Sequence, residues 1–524
     1  MKQILFLVLL LTLSTGSVRW SVAQNHPAPT QPARAELALQ TYNSDVQVHP
    51  LLEDSSVVLL VDRDPYSSSR NHYFFQKFDS QLRQRWETPL EVPQEFRLVR
   101  TTFEGTSVYA LFQSEYSARR LLVATLNGRT GMVHTTTFDM KNSRGMTDTR
   151  DLYDVKALDG NLFVTVLLER HMTVLLLDLQ HNEYRFLPSV YEEIPTNFTF
   201  LADSTSKRAK FVMSQSNGLK SRLLVKQLSD KGTLLHSEYV QAESERGLLT
   251  AQISPGEDDQ RLLTGTYTLR DSRYSQGLFA ADLAAGTSPT GGRPSLRFYD
   301  FLNLKHFFDY MKPAREARLR QRGERLRATE RQLRLHFRLM IHDLVPFQNG
   351  YVMVAEVYYP RYRYDGYGYS NSYSYGYTYP YSSMGSSLRR FDGYYSSHAI
   401  VCGFDKKGNL LWDNTFVLKD NSHGDLEETV RLRPMPDGKR LVLAYMEDNK
   451  IHYKIVDHTA SSPNDLEVPV QTSSTGTKEK ANNASQEGLL PWYGSRFLAF
   501  GYQHVHADRG SDRDVFFLNS VAFD

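Results

Sequence analysis

A single cysteine, Cys402, stands among 524 residues, which excludes an intrachain disulfide and any cysteine-based metal site. The sequence also lacks a G-x-S-x-G elbow, a phosphate-binding P-loop and an H-E-x-x-H zinc helix, so the commonest signatures of serine hydrolysis, nucleotide binding and metalloprotease chemistry are missing. After residue 13 no apolar run approaches the roughly 20 residues that a bilayer span needs, so no transmembrane segment is expected. The formal net charge of +2 is too small to announce a polyanion partner for the whole molecule. Nothing in the composition asks for a cofactor.

What is present starts at the N-terminus. Lys2 is followed by an apolar run from Ile4 to Leu13 and then by Ser21-Val22-Ala23, with small residues where a signal peptidase reads. Residues 1–23 therefore read as a secretory signal peptide, residues 24–35 as a Pro-rich linker and residues 36–524 as one domain. The mature protein is expected to be secreted, periplasmic or at the cell surface. Without disulfides its stability must come from core burial, for which a chain of 40% hydrophobic composition is ample. Cys402 lies inside the apolar run His398–Phe404 and reads as a buried packing thiol.

The strongest internal signal is repetition. Eight times an apolar strand, a polar turn and a second apolar strand recur, beginning with Val57–Val61, Val108–Phe112 and Leu162–Val166. The turns closing these pairs fall at Asp79, Asn127, Asp178, Asp230, Asp282, Asp405, Asp457 and Asn519, at spacings of 48, 51, 52, 52, 123, 52 and 62. One unit resolves into four strands: Phe96–Phe103, Ser107–Gln113, Arg120–Leu126 and Met132–Phe138, with Asn127-Gly128 as a tight hairpin. Strands apolar on both faces cannot be covered by a lone sheet, so the units must stack and close. The expected fold is all-β: a β-propeller of eight blades, or seven if one hairpin is an extra element, with a strand near Leu37–Tyr42 completing the last blade. A pair of β-sandwiches is the competing architecture.

The segment Phe404-Asp405-Lys406-Lys407-Gly408-Asn409-Leu410-Leu411-Trp412 resembles the strand, D-x-x-G turn, strand and tryptophan of quinoprotein-type propeller repeats. The segment Phe78 to Trp86 is a copy without the glycine. Enzymes of that class that use pyrroloquinoline quinone carry an adjacent cysteine pair, which one cysteine excludes. The resemblance thus implies a fold, and the non-enzymatic propellers that share the motif act as periplasmic or surface scaffolds. The chain as a whole is similar to exported propeller-like proteins of bacteria.

Two insertions interrupt the repeat. In the first, residues 303–335, Asn303 reads as an N-cap before Leu304, Phe307, Phe308 and Met311, and Pro313 separates this short helix from a second one over about Ala314–Leu335. From Lys312 to Arg338 ten basic residues face three acidic ones, a net +7, which leaves the rest of the chain at −5. Arg318, Arg322 and Arg325 are candidate contacts to an anionic surface, polysaccharide or acidic partner; the alternative is a solvated helix laced by Glu–Arg pairs. The second insertion, residues 358–395, carries Tyr367, Tyr369, Tyr375, Tyr377 and Tyr379 among small residues, a long exposed hairpin whose rings suit sugars or a protein.

Polar residues recur where the apolar strands end, among them Asp62, Gln113, Glu356 and Glu447, and these are candidates for the mouth of the central channel. His504 and His506, with Asp508, form a weak candidate metal cluster at a strand-to-loop junction, and no metal site is expected elsewhere. Together these features point to a non-catalytic exported scaffold that recognises a protein or glycan of the cell envelope, with nucleic acid excluded by the compartment. The alternative is a carbohydrate-active propeller enzyme using carboxylates at the channel mouth.

Overall fold

The computed structural model describes residues 28–63, 72–140, 152–168, 171–187, 198–216, 221–242, 245–257, 261–269, 271–284, 295–364, 389–419, 421–458, 460–464, 466–472, 479–507 and 511–523. They form eight antiparallel sheets arranged as an eight-bladed β-propeller with one α-helix, α1, over Pro313–Ala328. Blades 1 to 7 run in chain order over residues 44–90, 96–139, 152–186, 198–240, 247–300, 338–423 and 431–469. Blade 8 takes its first three strands from residues 479–522 and its outermost strand from Thr30–Leu37, which pairs with Arg513–Ala522. The N-terminus therefore closes the ring.

Why these residues make blades is visible in one strand. Val57, Leu59 and Val61 pack against blade 8, while Val58 and Leu60, on the other face, pack against blade 2; all five are buried. The same alternation recurs around the ring, so the core is a set of eight seams, each filled from two consecutive blades. The fourth strand of a blade buries less: in Gln84–Leu90 exposed and half-buried positions alternate, as on an outer edge. First strands of neighbouring blades lie side by side and surround the axis.

The recurring acidic turn has a defined mechanism. Asp405 Oδ1 accepts from the backbone amides of Lys407 and Asn409, and Gly408 takes a φ of +79° that a side chain would resist. Asp79 holds Gln81 and Arg83 the same way, with Leu82 bearing the positive φ of +56° in place of glycine.

Several sequence expectations need correction. The turn at Asn127 is not a two-residue hairpin: the positive φ belongs to Gly131, and Asn127 Oδ1 accepts from Arg129 and Thr130. Asn519 lies within the strand Arg513–Ala522, because in blade 8 the next strand comes from the other end of the chain. That next strand is Thr30–Leu37 and not Leu37–Tyr42, so the segment read as linker is sheet from Thr30 onward. The helix expected at 304–311 is absent: a 3₁₀ turn, Phe301–Asn303, is capped by Asp300, and Leu304, Phe307 and Phe308 are buried in the seam between blades 5 and 6. α1 stops at Ala328, short of Leu335. Cys402 is a free, buried thiol of that same seam.

Candidate functional site

α1 touches the propeller along one side. Gly323 is its buried residue, and a Cβ there would come within 2.6 Å of Leu302 Cδ1, so glycine lets the helix settle on the 3₁₀ turn. Arg320, one turn earlier, donates to the carbonyls of Leu302 (2.6 Å), Leu304 (2.9 Å) and Lys305 (3.1 Å) and lies over the Phe308 ring. Its Nε also pairs with Glu316 at 2.7 Å. Arg327 reaches Asn303 Oδ1, and Leu319 and Leu333 pack on the blade 5–6 seam.

The opposite side is different. Arg315, Arg318, Arg322 and Arg325 follow one another at three- and four-residue steps, which stacks them on one face of a helix. All four are exposed, and Arg318, Arg322 and Arg325 engage in no hydrogen bond or ion pair among the described residues. Pairing of glutamate with arginine within α1 is confined, among the described residues, to Glu316–Arg320, which lies on the docked side. Like charges at this spacing destabilise a helix by a few tenths of a kcal/mol per pair. The body holds α1 in place despite that repulsion.

Beyond α1 the chain turns at Glu330, whose φ is +55°, and runs beside blade 5. Between the two lies a cleft of about 660 Å³. Its wall includes Leu326, Arg331, Arg334, Asp271, Tyr274 and His336. Arg331 and Arg334 are exposed and carry no ion pair among the described residues. The Tyr274 and His336 rings meet edge to face with centroids 4.9 Å apart. Asp271 is chelated by Arg273, whose hydrogen bonds hold the carboxyl down to about 2.

The axis carries a second polar cluster. Inner strands are tied blade to blade by side chains donating to backbone carbonyls: Arg100 to Tyr153, Lys156 to Phe200, Thr199 to Ala251 and Gln252 to Ile341. In blade 6 the innermost strand breaks into Arg338–Ile341 and Val345–Phe347 around His342-Asp343. Asp343 lies 3.7 Å from Lys156 of blade 3, which bridges the ring interior. Its carboxyl is raised because the surrounding protein disfavours its charge more than Lys156 compensates, with Glu428 adding repulsion. His342 Nε2 stands 3.0 Å from Glu356 Oε1, which also accepts from the amides of Thr429 (2.7 Å) and Val430 (2.8 Å). Burial opposes the charge on both, yet Glu428 and Glu356 raise the imidazole, while His342 and the two amides lower the Glu356 carboxyl.

The channel candidates occupy other places than expected. Asp62, Gln113, Glu356 and Glu447 stand on the second strands of blades 1, 2, 6 and 7, one strand outward from the axis. Gln113 is buried and donates to the Ala118 carbonyl; Glu356 is the one tied to the axial cluster. Sequence reasoning passed over Lys156, His342 and Asp343. The signal was the polar pair interrupting the apolar run from Leu339 to Phe347.

His504 and His506 turn to carboxylates, His504 Nδ1 to Asp514 at 2.7 Å and His506 Nδ1 to Asp512 at 2.6 Å, while Asp508 lies outside the described residues. Among the described residues no three such side chains are grouped to hold a metal ion. Tyr367, Tyr369, Tyr375, Tyr377 and Tyr379 also lie outside the described residues; the flanks of that insertion extend the paired strands Gly350–Tyr364 and Arg389–Asp405. No helix among the described residues is long and apolar enough to cross a membrane.

No family model and no curated protein matches the chain. Among solved structures it is similar to a polysaccharide lyase (10% identity, 81% of this chain and 90% of that one, TM-score 0.38). It is also similar to the periplasmic gluconolactonase of Pseudomonas aeruginosa (11% identity, 82% and 99%, TM-score 0.35). A prolyl endopeptidase is a third, at 10% identity, 90% of this chain, 54% of that one and a TM-score of 0.39. Each likeness is one of propeller architecture alone.

Proposed function

We propose that the chain is an exported binding protein that holds an anionic partner of the cell envelope on the outer face of α1. The observation that carries this is the stripe Arg318, Arg322, Arg325, exposed and without an ion partner among the described residues, on a helix whose other side is fixed by Gly323 and Arg320. A pre-positioned cationic row costs its partner little ordering, and it acts over about a Debye length, 10 Å at 0.1 M salt. The eight-bladed body supports this role, because the seam between blades 5 and 6 seats α1 through Leu319 and holds it at a fixed place. The signal-peptide reading of residues 1–23 supports export.

The test is retention of the full mature chain on immobilised polygalacturonate across a salt gradient. The wild type is expected to elute well above the salt concentration that releases the variant Arg318→Glu/Arg322→Glu/Arg325→Glu, with unchanged thermal stability. Equal elution of the two proteins would remove α1 from recognition.

One observation favours a second reading. Asp343, its half-exposed side chain 3.7 Å from Lys156, carries the repulsion of Glu428 and Asp154, a grouping of acids such as a carbohydrate-active enzyme employs. Turnover of a glycan panel that disappears in Asp343→Asn would support that reading over the first.

A further inference from the structure

The proposed arginine face continues onto the 660 Å³ cleft between the end of α1 and blade 5, because Leu326, next in sequence to Arg325, forms part of the cleft wall. We infer that this cleft is the recognition subsite for an acidic oligosaccharide, a short run of uronate residues. The inference rests on the binding role proposed above and names its ligand.

Three features select that chemistry. Arg331 and Arg334 put at the cleft two guanidinia that have no ion partner among the described residues, and a guanidinium is suited to carboxylate. Asp271, ionised and fixed by Arg273, shares the same lining with Glu245 and Glu330, and a carboxylate can only accept hydrogen bonds. A ligand made of anionic groups alone, such as sulfate or a nucleic-acid backbone, gains from the arginines and is repelled by Asp271. A uronate satisfies both, since its carboxylate meets the arginines and its ring hydroxyls donate to Asp271. The half-buried Tyr274 ring is braced edge to face by His336 and lies under the guanidinia of Arg273 and Arg338, each 5.5 Å from its centroid, so two further cations stand beside this wall. The volume falls within the roughly 300–1,000 Å³ of clefts that bury a small ligand, enough for a short oligosaccharide and too small for a folded partner.

The test is calorimetric titration of the full mature chain with trigalacturonate, its neutral methyl ester, sodium sulfate and polyglutamate. Trigalacturonate is expected to bind at least tenfold more tightly than the ester or sulfate. Arg331→Ala/Arg334→Ala is expected to weaken it tenfold or more. Asp271→Ala is expected to weaken it also, although removing a negative charge would tighten a purely ionic contact. Arg318→Glu/Arg322→Glu/Arg325→Glu is expected to weaken long polygalacturonate far more than the trimer, whereas Arg331→Ala/Arg334→Ala is expected to weaken the trimer more. Tighter binding by Asp271→Ala, or equal binding of the trimer and its ester, overturns the inference. Binding of polyglutamate without trigalacturonate overturns it too, and leaves the arginine face standing as a polyanion site.

Discussion

At the residue scale the His342–Glu356 pair makes the sharpest statement about conditions. The imidazole sits against a fully buried carboxylate, with Glu428, Asp343 and Arg431 as its other charged neighbours. Its titration is raised, so its share of stability is complete below the unfolded value of about 6.5 and is lost as pH climbs through the folded value. Glu356 is lowered, so its share is present above the ordinary carboxylate value of about 4.3 and is lost on acidification below it. In urea titrations from about pH 6 to pH 9, the wild-type midpoint is expected to fall, whereas His342→Gln, less stable throughout because Glu356 loses its cation, should show a flatter profile. Parallel profiles would mean that the imidazole is neutral in the fold. No sequence pattern could place the neighbouring Asp343 against Lys156, since those two residues meet only when blades 3 and 6 face each other across the axis.

At the scale of elements, α1 depends on close approach. Gly323→Val would drive a branched side chain into Leu302, and overpacking of this kind costs about 1–3 kcal/mol. The displaced helix should expose its arginines, so limited trypsinolysis is expected to cut within 315–327 several-fold faster in Gly323→Val than in the wild type; unchanged cleavage would show that the helix does not rest on Leu302. The blades themselves were legible in the sequence because a strand buried on both faces is written as a continuous apolar run, and Val57–Val61 is one. The Asp-x-x-Gly turn was legible because only a short acceptor and a positive φ make it. The helix expected at 304–311 failed for a physical reason: its spacing of apolar residues comes from aromatic side chains filling a seam, Phe301 stacked on Phe307 with centroids 4.1 Å apart, and packing decided the backbone. A closing N-terminal strand was legible, but at Leu37–Tyr42 and not at Thr30–Leu37, because the true strand is an outer edge. Its apolar face is slight, Ala33, Ala35 and Leu37 packing half-buried on the blade 8–blade 1 seam, Pro32 sits at the register shift between Thr30 and Ala33, and its order comes from the backbone of residues 513–522.

At the scale of the whole molecule, stability hinges on closing a ring whose two ends are the chain's ends. Seven blades are each made from one local stretch, so their seams form between neighbours in sequence; the blade 8–blade 1 seam must wait for residues 30–37 to return to residues 513–522. A polar latch fixes that return. Asn519, fully buried, donates from Nδ2 to Gln31 Oε1 (2.8 Å) and the Gln471 carbonyl (2.9 Å), and accepts from Arg34 Nη1 (2.9 Å). Arg34 donates further to Gln471 and Gln503 and lies over the Phe517 ring. Asn519→Ala leaves several of these groups unpaired in the interior and is expected to cost about 2–3 kcal/mol, read as a lowered thermal midpoint. Arg34→Ala should cost a similar amount, and because the two side chains share one bond and the Gln471 carbonyl, the double variant should cost clearly less than the sum. Removal of residues 1–37 goes further, since it bares the edge of Arg513–Ala522 as a pairing template, and that chain is expected to associate at concentrations where both point variants stay monomeric by light scattering. Strict additivity of Arg34→Ala and Asn519→Ala would mean that closure rests on the strand's backbone pairing alone and that the latch is incidental to it.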